Sequence, residues 1–290
     1  MQNGYITERK PLEIPKSFSG GEFSYIKNLK IEDITYISDN LKVKGFLVSP
    51  KKKGNYPCII YNRGGNREFG ALTPERVIRF LALVASWGYV VAASQYRGNL
   101  GGEGREQFGG DDINDVLNLI PLLEAHPYAD HERIGMMGGS RGGMMTYKAL
   151  TLTDRIKAAS IRCGVTDLIS WTEDRKDMDE VYSDLIPEFN PDDRMTLKSR
   201  SPIYWADKMC PTTPILIMHG TSDWRVNPLS SIKMAERLME LKHPYRLVML
   251  EGSDHSLSEH INERNRLIKE WMDRFVRDGA PLPNLELHGD

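Results

Sequence analysis

The 290-residue chain carries a formal net charge of −2, with 40% apolar and 27% charged residues. This composition fits a soluble globular protein long enough to bury a sizeable core, and it argues against a polyanion-binding protein, which would show a basic excess. No stretch approaches the roughly 18 apolar residues needed to span a bilayer, and the first ten residues lack the apolar core of a signal peptide. The three cysteines, Cys58, Cys163 and Cys210, are odd in number and match no zinc spacing. They read as free thiols in a reducing compartment, so the expectation is a cytoplasmic protein with no metal, no nucleic acid and no membrane association.

Residues 1–30 are polar and read as an irregular N-terminal extension, with an α/β domain over 31–290. Apolar runs over 31–37 and 43–48 predict a pair of antiparallel strands. The run Cys58-Ile59-Ile60-Tyr61 predicts a short strand ending at Asn62-Arg63-Gly64-Gly65. Helical periodicity over 74–86 stops at Trp87-Gly88, where glycine can take the left-handed cap conformation. A strand over 89–94, a helix over 111–124, a strand over 133–137 and a helix over 141–150 follow. Strands over 156–163, 213–218 and 245–250 precede a last helix over 258–277. Alternation of this kind predicts an α/β fold, with a mainly parallel twisted sheet and helices on both faces. Residues from about 168 to 208 show no strand pattern and read as an inserted helical cap.

Gly138-Gly139-Ser140-Arg141-Gly142 is a G-x-S-x-G motif. Its setting, after an apolar strand and before a helix, is the one in which such a serine sits on a sharp strained turn with its hydroxyl clear of the sheet. The helix N-terminus beneath it presents amides and partial positive charge to a developing oxyanion. A serine hydroxyl is a weak nucleophile at neutral pH. It needs a general base, and the base needs an orienting carboxylate. In chain order Ser–Asp–His, Asp223 falls in the turn after a strand and His255 in the loop before the last helix, the positions such an acid and base occupy. Asp167 also ends a strand and is the reserve acid. Asp254 adjoins His255 but should point away from it. His219 reads as a strand-end residue supporting the turn, His260 as part of the last helix, and His243, His126, His131 and His288 as loop or tail residues.

The backbone N–H of Arg141 is the expected first oxyanion donor, and the turn at Gly64 and Gly65 the second. Trp224, beside the acid, reads as a rim residue, with Arg63, Trp171 and Tyr182 as further candidates for contact with substrate. The glycine-rich segment after Tyr96-Arg97-Gly98 lacks a phosphate-loop lysine and reads as a loop shaping the site. The segment 173–194 is rich in acid and reads as a solvated helix face, with a sharper alternative in which one carboxylate binds a substrate amino group.

The stretches Tyr96-Arg97-Gly98, DHERIGMMGGSRGG from Asp130 to Gly143, Arg200-Ser201-Pro202, HGTSDWRVNP from His219 to Pro228 and the loop from Gly252 to His255 resemble the catalytic domain of the prolyl oligopeptidase family, especially its acylaminoacyl-peptidase-like members. The resemblance implies an α/β-hydrolase fold, a Ser140/Asp223/His255 triad, no cofactor, and serine peptidase or esterase chemistry. Two departures bear on the substrate. Family peptidases usually carry an N-terminal β-propeller, and the residues ahead of Tyr56 are too few for one. Many members have Tyr or His before the Gly-Gly of the oxyanion loop, where this chain has Arg63. The expectation is therefore a serine hydrolase acting on short peptides or acylated amino acids, with a carboxylesterase or deacetylase on small esters as the alternative and a non-catalytic binding protein as a third. Oligomerisation would be one way for it to restrict its mouth.

Overall fold

Asp39 and Asn40 both adopt positive φ, 51° and 65°. Two successive left-handed residues make the tight turn whose twist matches antiparallel strands, and the chain here folds Leu29–Ser38 back on Leu41–Pro50. The computed structural model describes residues 1–18, 21–187, 189–192 and 194–289. The chain divides into two units, 1–137 and 138–290.

In the first unit, β1 (Ile6–Pro11), β2 (Leu29–Ser38) and β3 (Leu41–Pro50) form an antiparallel meander. β1 lies where the sequence reading expects irregular chain. Its residues are half-buried or exposed, so it carries no apolar alternation and is held by its backbone ladder to β2. β4 (Tyr56–Asn62) pairs in parallel with β5 (Val90–Ser94), which pairs in antiparallel with β3. The crossover between β4 and β5 is helical. α1 (Pro74–Arg76), capped by the Thr73 hydroxyl, continues through π-helical turns at Val77–Ala82 into α2 (Leu83–Ser86). The single helix expected over 111–124 is two, α3 (Ile113–Leu117) and α4 (Leu119–Glu124), parted at Asn118. Pro121 has no N–H to offer the Leu117 carbonyl, so a continuous ladder cannot form there.

β6 (Ala129–Gly139) carries the chain into the second unit. There α5 (Arg141–Ala149) follows Ser140, and β7 (Ile156–Arg162), β8 (Ile215–Gly220) and β9 (Tyr245–Leu250) run parallel. Between β7 and β8 the insertion is helical, with α6 (Leu168–Asp174), α7 (Asp177–Leu185) and α8 (Arg194–Lys198) and no strand among the described residues. Glu188 and Asp193, two of its acidic residues, lie outside the described residues. α9 (Leu229–Glu240), which the sequence reading does not anticipate, links β8 to β9. The last helix, α10 (Ile261–Met272), extends as π-helical turns through Asp273–Arg277. Among the described residues, no helix is long and apolar enough to cross a membrane.

Candidate active site

β6 reverses into α5 within one residue. Ser140 is that residue, at φ 57° and ψ −128°, a conformation that costs an L-residue free energy and persists only where its surroundings enforce it. Its N–H donates to the Arg162 carbonyl at 2.9 Å, and its own carbonyl accepts from Gly143 at 2.9 Å and Val165 at 3.3 Å. The turn is that tight because Gly138 has no side chain. A Cβ there would stand 2.1 Å from the Gly142 carbonyl oxygen.

Asp223 sits just beyond β8, in a turn that its own side chain closes. Oδ1 accepts the amides of Arg225 at 2.8 Å and Val226 at 3.1 Å. Oδ2 receives two imidazoles, His255 Nδ1 at 2.7 Å and His219 Nε2 at 3.1 Å. Burial alone would push this carboxyl up. Hydrogen bonds from His219 and His255, with the backbone amides, outweigh it and hold Asp223 well below the usual carboxylate range, so it stays ionised.

The network also assigns tautomers. The Nδ1–H of His255 faces the carboxylate, which leaves Nε2 as its basic nitrogen. The Nε2 of His219 is shared between Asp223 and the Val226 carbonyl, so it carries the proton, and its Nδ1 accepts the Ser231 hydroxyl at 2.7 Å. The loop bearing His255 is pinned at the next residue. The Ser256 carbonyl accepts from Arg162 Nη1 at 2.8 Å and from Arg264 Nη1 at 3.0 Å. Sequence reading places His219 as support for the turn but misses its bond to the acid, and it misses both arginines. A buried histidine four residues before an acid is a usable signal for the first. No local pattern marks the second.

The competing acids are occupied elsewhere. Asp167 caps α6, accepting the Ile169 amide at 3.0 Å, and accepts the Tyr204 hydroxyl at 3.3 Å. Asp254 accepts the amides of Ser256 and Ser258. His260 stands ahead of α10 instead of inside it, bonded to the Glu251 carbonyl. The Cys163 thiol is fully buried beside Asp223 and His255, and burial pushes it up to about 12, so it stays protonated. His243 is bonded to the Thr213 carbonyl, within the loop expected for it.

The candidate contact residues divide by burial. Trp224 is 70% exposed, with the guanidinium groups of Arg175 and Arg225 over its ring. Trp171 is buried, and its indole N–H donates to the Arg225 carbonyl at 2.7 Å, which ties the helical insertion to the acid's turn. Tyr182 is fully buried. Both residues expected from sequence as contact surface are thus enclosed by the fold.

In the first unit, Arg63 is 1% exposed, which corrects its reading as a substrate contact. Its guanidinium donates to the carbonyls of Gln95 at 2.9 Å, Arg67 at 3.0 Å, Gly64 at 3.2 Å and Phe69 at 3.4 Å, and lies over the Tyr96 ring. One buried cation thus gathers the carbonyls of the loop that holds Gly64 and Gly65. Gly65 has φ 71°, and a Cβ there would meet the Phe69 carbonyl oxygen at 2.1 Å. The Arg67 amide donates to the buried Glu106 carboxylate, which anchors the far side of the loop.

The family profile described as "Prolyl oligopeptidase family" matches residues 77–278. The chain belongs to the prolyl oligopeptidase family. As a member it is a hydrolase of the serine peptidase class. It is 33% identical over 251 residues to the uncharacterized peptidase YtmA of Bacillus subtilis (strain 168), covering 85% of this chain and 94% of that one. It is 26% identical over 259 residues to acylamino-acid-releasing enzyme 1 of Oryza sativa subsp. japonica, covering 82% of this chain but 32% of that protein. Among solved structures, an acylaminoacyl peptidase of Pyrococcus horikoshii superposes with a TM-score of 0.76 at 24% identity, over 91% of this chain and 44% of that one. An acetyl xylan esterase from Paenibacillus sp. R4 superposes at 0.68 with 17% identity, over 91% and 88%. These likenesses establish the α/β-hydrolase fold. The chain thus spans nearly all of YtmA and less than half of the larger relatives it matches.

Proposed function

We propose that this chain is an acylaminoacyl-peptidase-like serine peptidase acting on short peptides or acylated amino acids through Ser140, His255 and Asp223. The observation that carries the reading is the 2.7 Å contact of His255 Nδ1 with an Asp223 carboxylate held ionised, in the same unit as a serine on a strained strand-to-helix turn. The names of relatives, acylamino-acid-releasing enzymes among them, support the substrate class.

In this mechanism Ser140 Oγ attacks the acyl carbonyl while its proton passes to His255 Nε2. Asp223 keeps the ring in the Nδ1–H tautomer and stabilises the imidazolium. The oxyanion is assigned to the Arg141 N–H, at the N-terminus of α5 where the helix dipole is positive. One such donor is worth about 3 kcal/mol of transition-state stabilisation. The imidazolium protonates the leaving amine, which departs. Water, deprotonated by His255, then attacks the ester carbonyl, and His255 returns that proton to Ser140 Oγ as the bond breaks and the acid leaves. The chemistry calls for no cofactor.

The test is intact-mass labelling with a fluorophosphonate, followed by turnover of acylaminoacyl-p-nitroanilides and of p-nitrophenyl acetate and butyrate. One adduct in the wild type and none in Ser140→Ala, with turnover of the anilides, supports the reading. Turnover of esters alone replaces the peptidase with a carboxylesterase. A folded wild type that takes no adduct leaves a binding protein on a hydrolase fold.

A further inference from the structure

Cys163 lies immediately after β7 and is fully buried. Its Sγ, a carboxylate oxygen of Asp223 and a ring nitrogen of His255 all lie within 4.8 Å of one another. The His255 nitrogen turned toward Asp223 is Nδ1. Thiolate, imidazole and carboxylate are the ligand types that zinc takes, and three of them leave the fourth tetrahedral position open. Bond lengths of about 2.3 Å to sulfur and 2.0–2.2 Å to nitrogen or oxygen put tetrahedral ligand atoms roughly 3.3–3.6 Å apart.

We propose that a zinc-class divalent cation binds Cys163 Sγ, Asp223 and His255 Nδ1 and so switches off the base of this active site. The charges balance, since a thiolate and a carboxylate neutralise the dication and no uncompensated charge is buried. The protons balance as well. Cys163 releases its thiol proton to solvent as the metal–sulfur bond forms. Nδ1 must coordinate through its lone pair, so the proton it held moves to Nε2. An imidazole carrying its proton on Nε2 cannot accept one from Ser140, and a carboxylate bound to metal no longer orients the ring. The result is reversible inhibition with no bond to Ser140. Entry is by way of His255, whose side chain is 19% exposed. Mg²⁺ and Ca²⁺, which take oxygen ligands, fit this set poorly. The binding site rests on the clustering of three side chains, whereas its effect on turnover rests on the proposed catalytic roles of His255 and Asp223.

Cobalt(II) serves as the probe, because a cobalt–thiolate bond gives a charge-transfer absorption. Titration of the full chain should develop that band to one equivalent, and Zn²⁺ should displace it. The band should vanish in Cys163→Ser and remain in Cys58→Ser and Cys210→Ser. Should Cys163→Ser fail to fold, retention of the band in the other two variants still assigns it. Saturating Zn²⁺ should lower p-nitrophenyl acetate turnover about tenfold or more, reversed by EDTA, and Cys163→Ser should need about tenfold more Zn²⁺ or beyond. Cobalt bound without the band, or a band lost in Cys58→Ser or Cys210→Ser, overturns the site. A band that forms without loss of turnover overturns the switch. A protein that shows the band but has no turnover even without metal counts against the catalytic reading and leaves the site standing.

Discussion

His219 Nε2 stands 3.1 Å from Asp223 Oδ2, the same oxygen that His255 approaches to 2.7 Å. Two imidazoles therefore share one carboxylate oxygen. His219 is fully buried and anchored at its other end by Ser231, so it acts as a fixed donor that locates the acid. Replacing His219 with Leu should leave the Ser231 hydroxyl and the Val226 carbonyl short of a partner. The expected cost is about 1–3 kcal/mol of stability, read from urea midpoints, with kcat lowered more than KM as the carboxylate drifts. An unchanged midpoint would show that the buried network is not coupled to folding.

Ser140 lies at φ 57°, where glycine is at ease and alanine is not. Both Ser140→Ala and Ser140→Gly should lose turnover by about 10⁴–10⁶-fold, as removal of a nucleophile does. They should differ in stability. Ser140→Gly should melt higher than Ser140→Ala, because only glycine relieves the turn. Equal melting temperatures would mean the turn stores no strain.

Arg63 holds four loop carbonyls with one guanidinium. Lysine carries the charge but not the planar fork, so Arg63→Lys should strand several of those carbonyls in a buried site. The expected loss is about 2–4 kcal/mol, with faster hydrogen exchange at residues 64–70. Protection factors equal to wild type would remove the clamp from the account.

His126 is held neutral. Burial lowers its pKa from 6.5 to about 4, helped by the nearby Arg9 and Lys30 and opposed by Glu32. The unfolded chain therefore binds more protons than the folded one between those two values, and stability should fall as pH drops from 6.5 toward 4. Urea midpoints across that window should slope downward on acidification, and His126→Gln should flatten the slope. An equal slope in the variant would assign the loss to other groups.

The alternation of short apolar runs with helical periods, the G-x-S-x-G between β6 and α5, and the places of Asp223 and His255 after β8 and β9 were all legible in the sequence. Each is a local matter. Period-2 and period-3.6 burial, a glycine where a Cβ would collide, and a polar residue at a strand's end are written in neighbouring residues. β1 was not legible, because an edge strand with little buried area has no apolar signature and exists through its pairing with β2. The break at Pro121 was present as a residue but overlooked as a constraint. Only the tertiary structure decided that the Arg63 guanidinium faces loop carbonyls, that His219 and His255 meet on one oxygen, and that Cys163 stands beside Asp223 and His255. Those relationships join residues far apart in the sequence, Cys163 and His255 among them. They depend on distances and directions that packing sets, and a one-dimensional pattern carries neither.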